Sequence, residues 1–525
     1  MIVEHRLHRL TRLAQAAPDK RFDRLFREIT QVDFLMYAYE QIKGNKGAST
    51  PGIDGNTKAH WSLQQAEALS HALREGTYCP SPVRRVYIPK KSGKLRPLGI
   101  PTFTDRVVQS AIKLILEALY EPIFLDCSHG FRPRRGCHTA LAALYDNPKV
   151  RIDWVVEGDI QGCFDNVNHQ ILLRLLQRRI KDDRLLTLIA QFLKAGYFER
   201  ALWNPTKAGT PQGGIVSPIL ANIYLHELDV YVEREMAANH TPEQSWNDTA
   251  QRVNPAWKTL EGRITYLRAM LDGRRKLLGD PQDLRIELRD LIKARKTTPY
   301  LIRPIKARLT YVRYADDFVI VLRNMSKADA ERIKTMLTHW VADTLGLVLS
   351  PEKTAITHIT EGFTFLGYKF LAKQGETGTQ PRVKLIIPYA AAENKIALIK
   401  DICRRYGSAE IEVIRRINSI LWGWMDYYTC ATAPSRVFSS ILSQVWSIYG
   451  AYVSRKHGCH IGAAAKRWMT RCPPSPRNPK GGQKTWMAET THGDVVKHEY
   501  LLCSTPPKRS LHEVARGIYR GKRNQ

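Results

Sequence analysis

Two aspartates stand side by side in Arg313-Tyr314-Ala315-Asp316-Asp317-Phe318, between the runs Leu309-Thr310-Tyr311-Val312 and Val319-Ile320-Val321-Leu322. Both runs are rich in β-branched and aromatic residues, so the segment predicts a β-hairpin with two carboxylates at its tip. Alone, such a tip is an ordinary solvated turn. A third carboxylate, Asp159, closes the apolar run Trp154-Val155-Val156-Glu157-Gly158-Asp159 far upstream, so any meeting with the hairpin is tertiary. Carboxylates gathered from separate strands cannot all stay ionised in one small volume unless a cation neutralises them, and oxygen-only ligands suit magnesium. The chemistry suggested is two-metal phosphoryl transfer, with ions about 3.5–4 Å apart clamping the attacking and leaving oxygens of an in-line displacement.

The rest of the chain must position this set and supply a substrate surface. Over 525 residues, 80 Lys and Arg stand against 50 Asp and Glu, a formal net charge of +30. That surplus makes a positive field suited to a polyanion, and affinity for nucleic acid should fall steeply with salt as counterions are released. The length allows about three domains. No run of about 18 apolar residues and no signal-peptide pattern occurs, so the reading is an unexported protein with no membrane partner. Nine cysteines without a framework fit a reducing cytoplasm.

Residues 1 to about 45 carry Leu7, Leu10 and Leu13 at helical spacing among Arg6, Arg9 and Arg12, a basic amphipathic helix pair. Residues 83–101 predict two strands joined by a basic turn at Gly93, presenting Lys90 and Arg96 to one side, where they could hold a triphosphate. A further basic loop, Gly130-Phe131-Arg132-Pro133-Arg134-Arg135, precedes a helix, and its arginines suit phosphate contacts that position without reading sequence. Glycines and Pro211 force a turn before Ser217-Pro218 starts another helix. Residues 231 to about 308 are a polar, basic, largely helical insertion that includes Arg274-Arg275-Lys276. Residues 390 to about 454 also read helical, with Trp422, Trp424, Tyr427 and Tyr428 as either core or stacking platforms. From 455 to 525, fifteen Lys and Arg face four Asp and Glu.

Tyr314-Ala315-Asp316-Asp317 with Asp159, the loop Thr50-Pro51-Gly52-Ile53-Asp54-Gly55, the segment Pro211-Gln212-Gly213 and the turn Phe365-Leu366-Gly367 together resemble the reverse transcriptase and maturase encoded by group II introns. The resemblance covers nearly the whole chain and is strongest from about 43 to 430. It implies an α+β right-hand polymerase of fingers, palm and thumb, with a helical maturase X region and a basic DNA-binding tail. The implied boundaries are 1–80 for an N-terminal extension and the start of the fingers, 81–370 for fingers and palm with the 231–308 insertion, 371–454 for the thumb or X domain, and 455–525 for the tail.

The resemblance also implies roles. Asp159, Asp316 and Asp317 would be catalytic and, with the main-chain carbonyl of Ile160, would hold two Mg2+ ions, Asp317 having the weakest claim to direct ligation. Lys90, Arg96 and Gln212 would contact the incoming dNTP. Phe164 would lie beneath its sugar, where a bulky ring clashes with a 2′-hydroxyl and selects deoxynucleotides. Arg132, Arg134 and Arg135 would run along the template and Gly367 would approach the primer. The implied function is copying group II intron RNA into DNA during retrohoming at target-site DNA, and assisting the splicing of that RNA. The implied setting is a bacterial cytoplasm, close to the nucleoid. His457, Cys459, His460, Cys472 and Cys503 depart from the paired Cys-x-x-Cys spacing of relatives that carry a nuclease, so the expectation is an endonuclease-lacking type whose DNA primer comes from elsewhere.

Three other readings share some of these features. An RNA-copying RNA polymerase would share the carboxylates, and Phe164 argues against it. A retron or hypervariation enzyme would share the palm, and the Thr50–Gly55 loop and the X-like stretch argue against it. An RNA-folding chaperone that has outlived its polymerase would not need its three aspartates intact.

Overall fold

The apolar run that follows the paired aspartates forms strand Asp317–Arg323, an inner strand of a four-stranded antiparallel sheet. Its order is Ala355–His358, Trp154–Asp159, Asp317–Arg323, Arg308–Tyr314. The computed structural model describes residues 2–89, 93, 95–145, 152–199, 202–204, 209, 213–237, 252–273, 279–298, 301–302, 308–373, 382–405, 409–474, 482–492 and 495–520. Successive strand side chains point to opposite faces. Phe318, Ile320 and Leu322 enter one apolar core, and Val319 and Val321 enter a second. The neighbouring strand does the same with Val156 and Val155. A sheet used as the wall between two cores needs apolar residues on both faces, hence the unbroken hydrophobic run.

The first core is built from N-terminal helices Ile2–Ala16 and Val32–Ile42, helix Phe103–Tyr120, helix Ser217–Val230 and helix Lys327–Leu345. Phe103–Tyr120 begins where the Thr102 hydroxyl accepts from Asp105 N at 3.1 Å and buries Val107, Val108, Ala111, Ile112, Ile115, Leu116 and Leu119. Pro218 sits in the first turn of its helix, where its missing N–H costs nothing. Lys327–Leu345 starts with a Ser326/Asp329 capping box and stops at Gly346, whose φ is 61°. A second sheet holds the predicted basic hairpin, Val83–Pro89 against Leu95–Ile100, beside Tyr197–Glu199 and Leu202–Asn204.

The second core lies under strands Phe363–Phe365, Tyr368–Lys373 and Arg382–Ile386 and helices Tyr389–Arg404, Glu410–Tyr427 and Pro434–Lys456. Trp424 and Tyr428 are buried in it, which settles them as packing residues; Trp422 and Tyr427 are half-buried. The basic residues beyond 455 share this core. Trp486 is wholly buried, its indole N–H donating to Trp446 O at 3.1 Å, and Ala488, Leu501, Leu511 and Ala515 join it. The expected boundary at 454/455 therefore falls inside one apolar cluster. Helices Pro255–Leu271 and Pro281–Thr297 pack on each other around a small cluster of their own, Leu267, Met270 and Leu284. Arg274, Arg275 and Lys276 lie outside the described residues. Among the described residues no helix is long and apolar enough to cross a membrane.

Candidate active site

Pairing of Trp154–Asp159 with Asp317–Arg323 sets Asp159 directly opposite Asp317. Asp316 lies beside them in the two-residue turn that joins Tyr314 to its partner Asp317. Ala315 opens that turn with φ at 59°, a left-handed conformation that costs a residue with a Cβ on the order of 1 kcal/mol. Tertiary contacts hold it there. Arg313 Nη1 donates to Ala315 O at 2.9 Å, and Gly130 is packed so closely that a Cβ on it would come within 2.3 Å of Ala315 N.

Arg313 is fully buried beneath the turn. Its Nε and Nη2 reach the two carboxylate oxygens of Asp229, each at 2.6 Å, while Tyr311 donates to the same carboxylate at 3.1 Å. The remaining donors reach Asn222 Oδ1 at 3.2 Å and Ser128 Oγ at 2.8 Å. Burial alone would favour a neutral guanidinium; the Asp229 carboxylate outweighs it and holds Arg313 charged. Asn222 in turn donates to Gly130 O at 2.8 Å, and His129 N and Arg313 N make reciprocal main-chain bonds to Arg313 O and Cys127 O. The 127–131 loop and the acidic turn are thus fastened to each other.

The carboxylates crowd one another. Asp159 is nearly buried, and Lys353 Nζ donates to its Oδ2 at 2.9 Å. Burial raises the Asp316 carboxyl above the ordinary carboxylate range, and repulsion from Asp159 adds to this, while the charges of Lys353 and Arg96 oppose it. Asp317 keeps solvent contact, yet the protein packed around it, its hydrogen bond to Asp159 and the charge of Asp316 push its carboxyl up to about 7. As they stand, no three His, Cys, Asp or Glu side chains among the described residues are arranged to hold a metal ion. The Lys353 ammonium already offsets part of the repulsion. The donor set, three carboxylates of which Asp316 and Asp317 have raised proton affinity, is nevertheless the chemistry a hard divalent cation needs.

The other expected site residues divide into several groups. Ile160 is buried next to Asp159 and bridges to Leu349. Phe164 is half-buried on the one-turn helix Cys163–Asn166. Arg96 is exposed on its hairpin strand, and its charge reaches Asp316. Lys90 and Gln212 lie outside the described residues. Arg132 does not point outward: it is buried, with its guanidinium on both oxygens of Glu121 and on the carbonyls of Leu125 and Ser128. It builds the loop, and outward contacts from this loop fall to exposed Arg134 and to Arg135, which Asp126 holds at 2.6 Å. Gly367 has φ at 77°, and its carbonyl accepts from the Tyr428 hydroxyl at 2.9 Å. Cys472 and Cys503 come within 3.3 Å, whereas His457 turns to Glu410.

Sequence reading missed Lys353, Asp229, Asn222 and Phe131. A signal existed for Asp229, because Tyr311 and Arg313 fall on the same face of a strand otherwise lined with apolar residues, and a buried arginine demands a carboxylate. Nothing in the spacing points from Lys353 to Asp159.

The chain is similar to known proteins over most of its length. Residues 88–241 and 294–370 match the family model for reverse transcriptase (RNA-dependent DNA polymerase), and residues 396–471 match the maturase-specific domain of group II introns. The chain is 40% identical over 455 residues to the group II intron-encoded protein LtrA of Lactococcus lactis subsp. cremoris, covering 81% of this chain and 74% of that one. It is 36% identical over 403 residues to protein YkfC of Escherichia coli (strain K12), covering 75% and 94%. It is likewise 36% identical over 451 residues to an uncharacterized 91 kDa protein in the cob intron of Schizosaccharomyces pombe, covering 81% and 53%. The chain belongs to the group II intron-encoded reverse transcriptase and maturase family and is an RNA-directed DNA polymerase.

Proposed function

We propose that the chain copies group II intron RNA into DNA during retrohoming, extending a primer at target-site DNA with dNTPs, by two-Mg2+ nucleotidyl transfer on a right-hand polymerase scaffold. The observation that carries this reading is the cross-strand pairing of Asp159 with Asp317, with Asp316 in the adjoining turn. Those three carboxylates, with the main chain at Ile160, would hold the ions; when bound, the ions supply charge that activates the primer 3′-hydroxyl and stabilises the pyrophosphate leaving group. Arg96, whose charge already acts on Asp316, would meet the triphosphate. Lys90 and Gln212 would complete that pocket and Phe164 would stand against the sugar. Arg134 and Arg135 would follow the template backbone, and the bare main chain at Gly367 would approach the primer.

In this layout residues 81–370 are fingers and palm, 371–454 the thumb or maturase X domain and 455–525 the DNA-binding tail. The gap between 241 and 294 in the reverse transcriptase match supports treating 231–308 as an insertion. A positive charge of this size supports intron RNA and target DNA as partners. The work would take place at the nucleoid of a bacterial cytoplasm. Extension of a DNA primer on an RNA template, with Mg2+ and either dNTPs or rNTPs, tests the reading. Product with dNTPs is expected; product with rNTPs only would make the protein an RNA-copying RNA polymerase, and none with either would favour an RNA chaperone.

A further inference from the structure

Phe131 is 52% exposed and has φ at 58°, two features that each cost a large apolar side chain free energy. The flanking residues force the arrangement. On one side Gly130 is pressed against Ala315 and held by Asn222; on the other Arg132 is locked into Glu121 and the carbonyls of its own loop. What the Phe131 ring touches is Phe164. Their centroids lie 6.2 Å apart with the planes at 84°, an edge-to-face pair. Phe164 needs that contact, because it rides on a helix of four residues that begins at Gly162 with φ at 54° and it belongs to neither apolar core. A single turn of helix does little to fix its own side chains.

We propose that Phe131 is a specificity-determining residue: it braces Phe164 from the template loop so that the Phe164 ring keeps its place against the sugar of the incoming nucleotide, and so sets the preference for deoxynucleotides over ribonucleotides. This rests on the reading of Phe164 given above. It adds that the sugar gate has two walls, one on the Asp159 side of the site and one on a loop fastened to the Asp316 turn. The gate and the carboxylates therefore keep a fixed spacing.

The test compares kcat/KM for dNTP and rNTP incorporation on a primed RNA template in Mg2+ for wild type, F131A, F131Y, F164A and the F131A/F164A double variant, each checked by thermal melting. Loss of an edge-to-face aromatic contact should lower the dNTP over rNTP preference of F131A about three- to tenfold. F131Y keeps an aromatic brace and should retain the wild-type preference. Because Phe131 acts through Phe164, the double variant should match F164A. The inference is overturned if F164A relaxes the preference while F131A leaves it at the wild-type value, or if the two effects multiply in the double variant. Should F164A itself leave the preference unchanged, the reading of Phe164 falls and the brace falls with it.

Discussion

Arg313 and Asp229 form a bidentate ion pair, both contacts 2.6 Å, sealed from solvent directly beneath the turn that carries Asp316. Breaking a buried pair from one side leaves an uncompensated charge, which costs about 3–5 kcal/mol. R313A and D229A should each lower the free energy of unfolding by that amount in urea denaturation. The double variant R313M/D229L should be less destabilised than the sum of the two single changes, because neither charge remains.

Gly130 tests the fastening of loop to turn. A Cβ there would meet main-chain atoms of Ala315 and Tyr314, which cannot swing away as a side chain can. The loop and the acidic turn must then part, and a misplacement near 1 Å costs about 100-fold in rate. G130A is expected to show that loss in single-turnover dNTP incorporation. G44A, where an added Cβ meets nothing within 4 Å, should be unaffected.

Acidity gives a third expectation. The Asp317 carboxyl has an ordinary value of 3.8 and is pushed to about 7 in the folded chain, chiefly by the surrounding protein and then by Asp159 and Asp316. Between those values the folded protein holds a proton that the unfolded chain has released. Its contribution to stability is therefore fully present below pH 3.8, falls as pH rises through the window, and is gone above about 7. Asp316 acts in the same direction. In EDTA, the melting temperature of wild type minus that of D317N should decline from pH 4 to pH 7.5. A carboxylate must lose its proton to bind a cation, so Mg2+ affinity should rise over the same interval, with proton release on binding.

Lys353 competes with any cation for Asp159, its Nζ lying 2.9 Å from Oδ2. The lysine side chain is 66% exposed, so the pair is worth about 0–1 kcal/mol. K353A should leave the melting temperature nearly unchanged and tighten Mg2+ binding to the free protein by up to about fivefold in calorimetry.

How far the sequence could be read follows from range. The hairpin with Asp316 and Asp317 at its tip, the basic hairpin 83–100 and the Pro218 helix start depend on neighbours a few residues apart, and each forms as its pattern predicts. The meeting of Asp159 with Asp317 was legible only through the family resemblance, since nothing local specifies which strands pair. Arg132 shows the limit of composition: an arginine in a basic loop looks like a phosphate contact until Glu121, eleven residues away, claims it. Trp486 shows another, because a buried aromatic in a basic, proline-bearing stretch carries no periodicity that betrays its core partner Trp446. The Phe131–Phe164 pair joins residues 33 positions apart, one in a loop and one on a single turn of helix, too short for either to show a helical or strand period.

The most direct measurement of the central claim is single-turnover dNTP incorporation into a DNA primer on an RNA template, in Mg2+, by wild type, D159A and D316A, with folding of each variant verified by circular dichroism. Loss of an ion-holding carboxylate removes charge stabilisation worth several kcal/mol, so both variants should fall at least about 1,000-fold below wild type. Incorporation by either variant within about tenfold of wild type, one decade or about 1.4 kcal/mol of barrier, would contradict the placement of the chemistry at these aspartates.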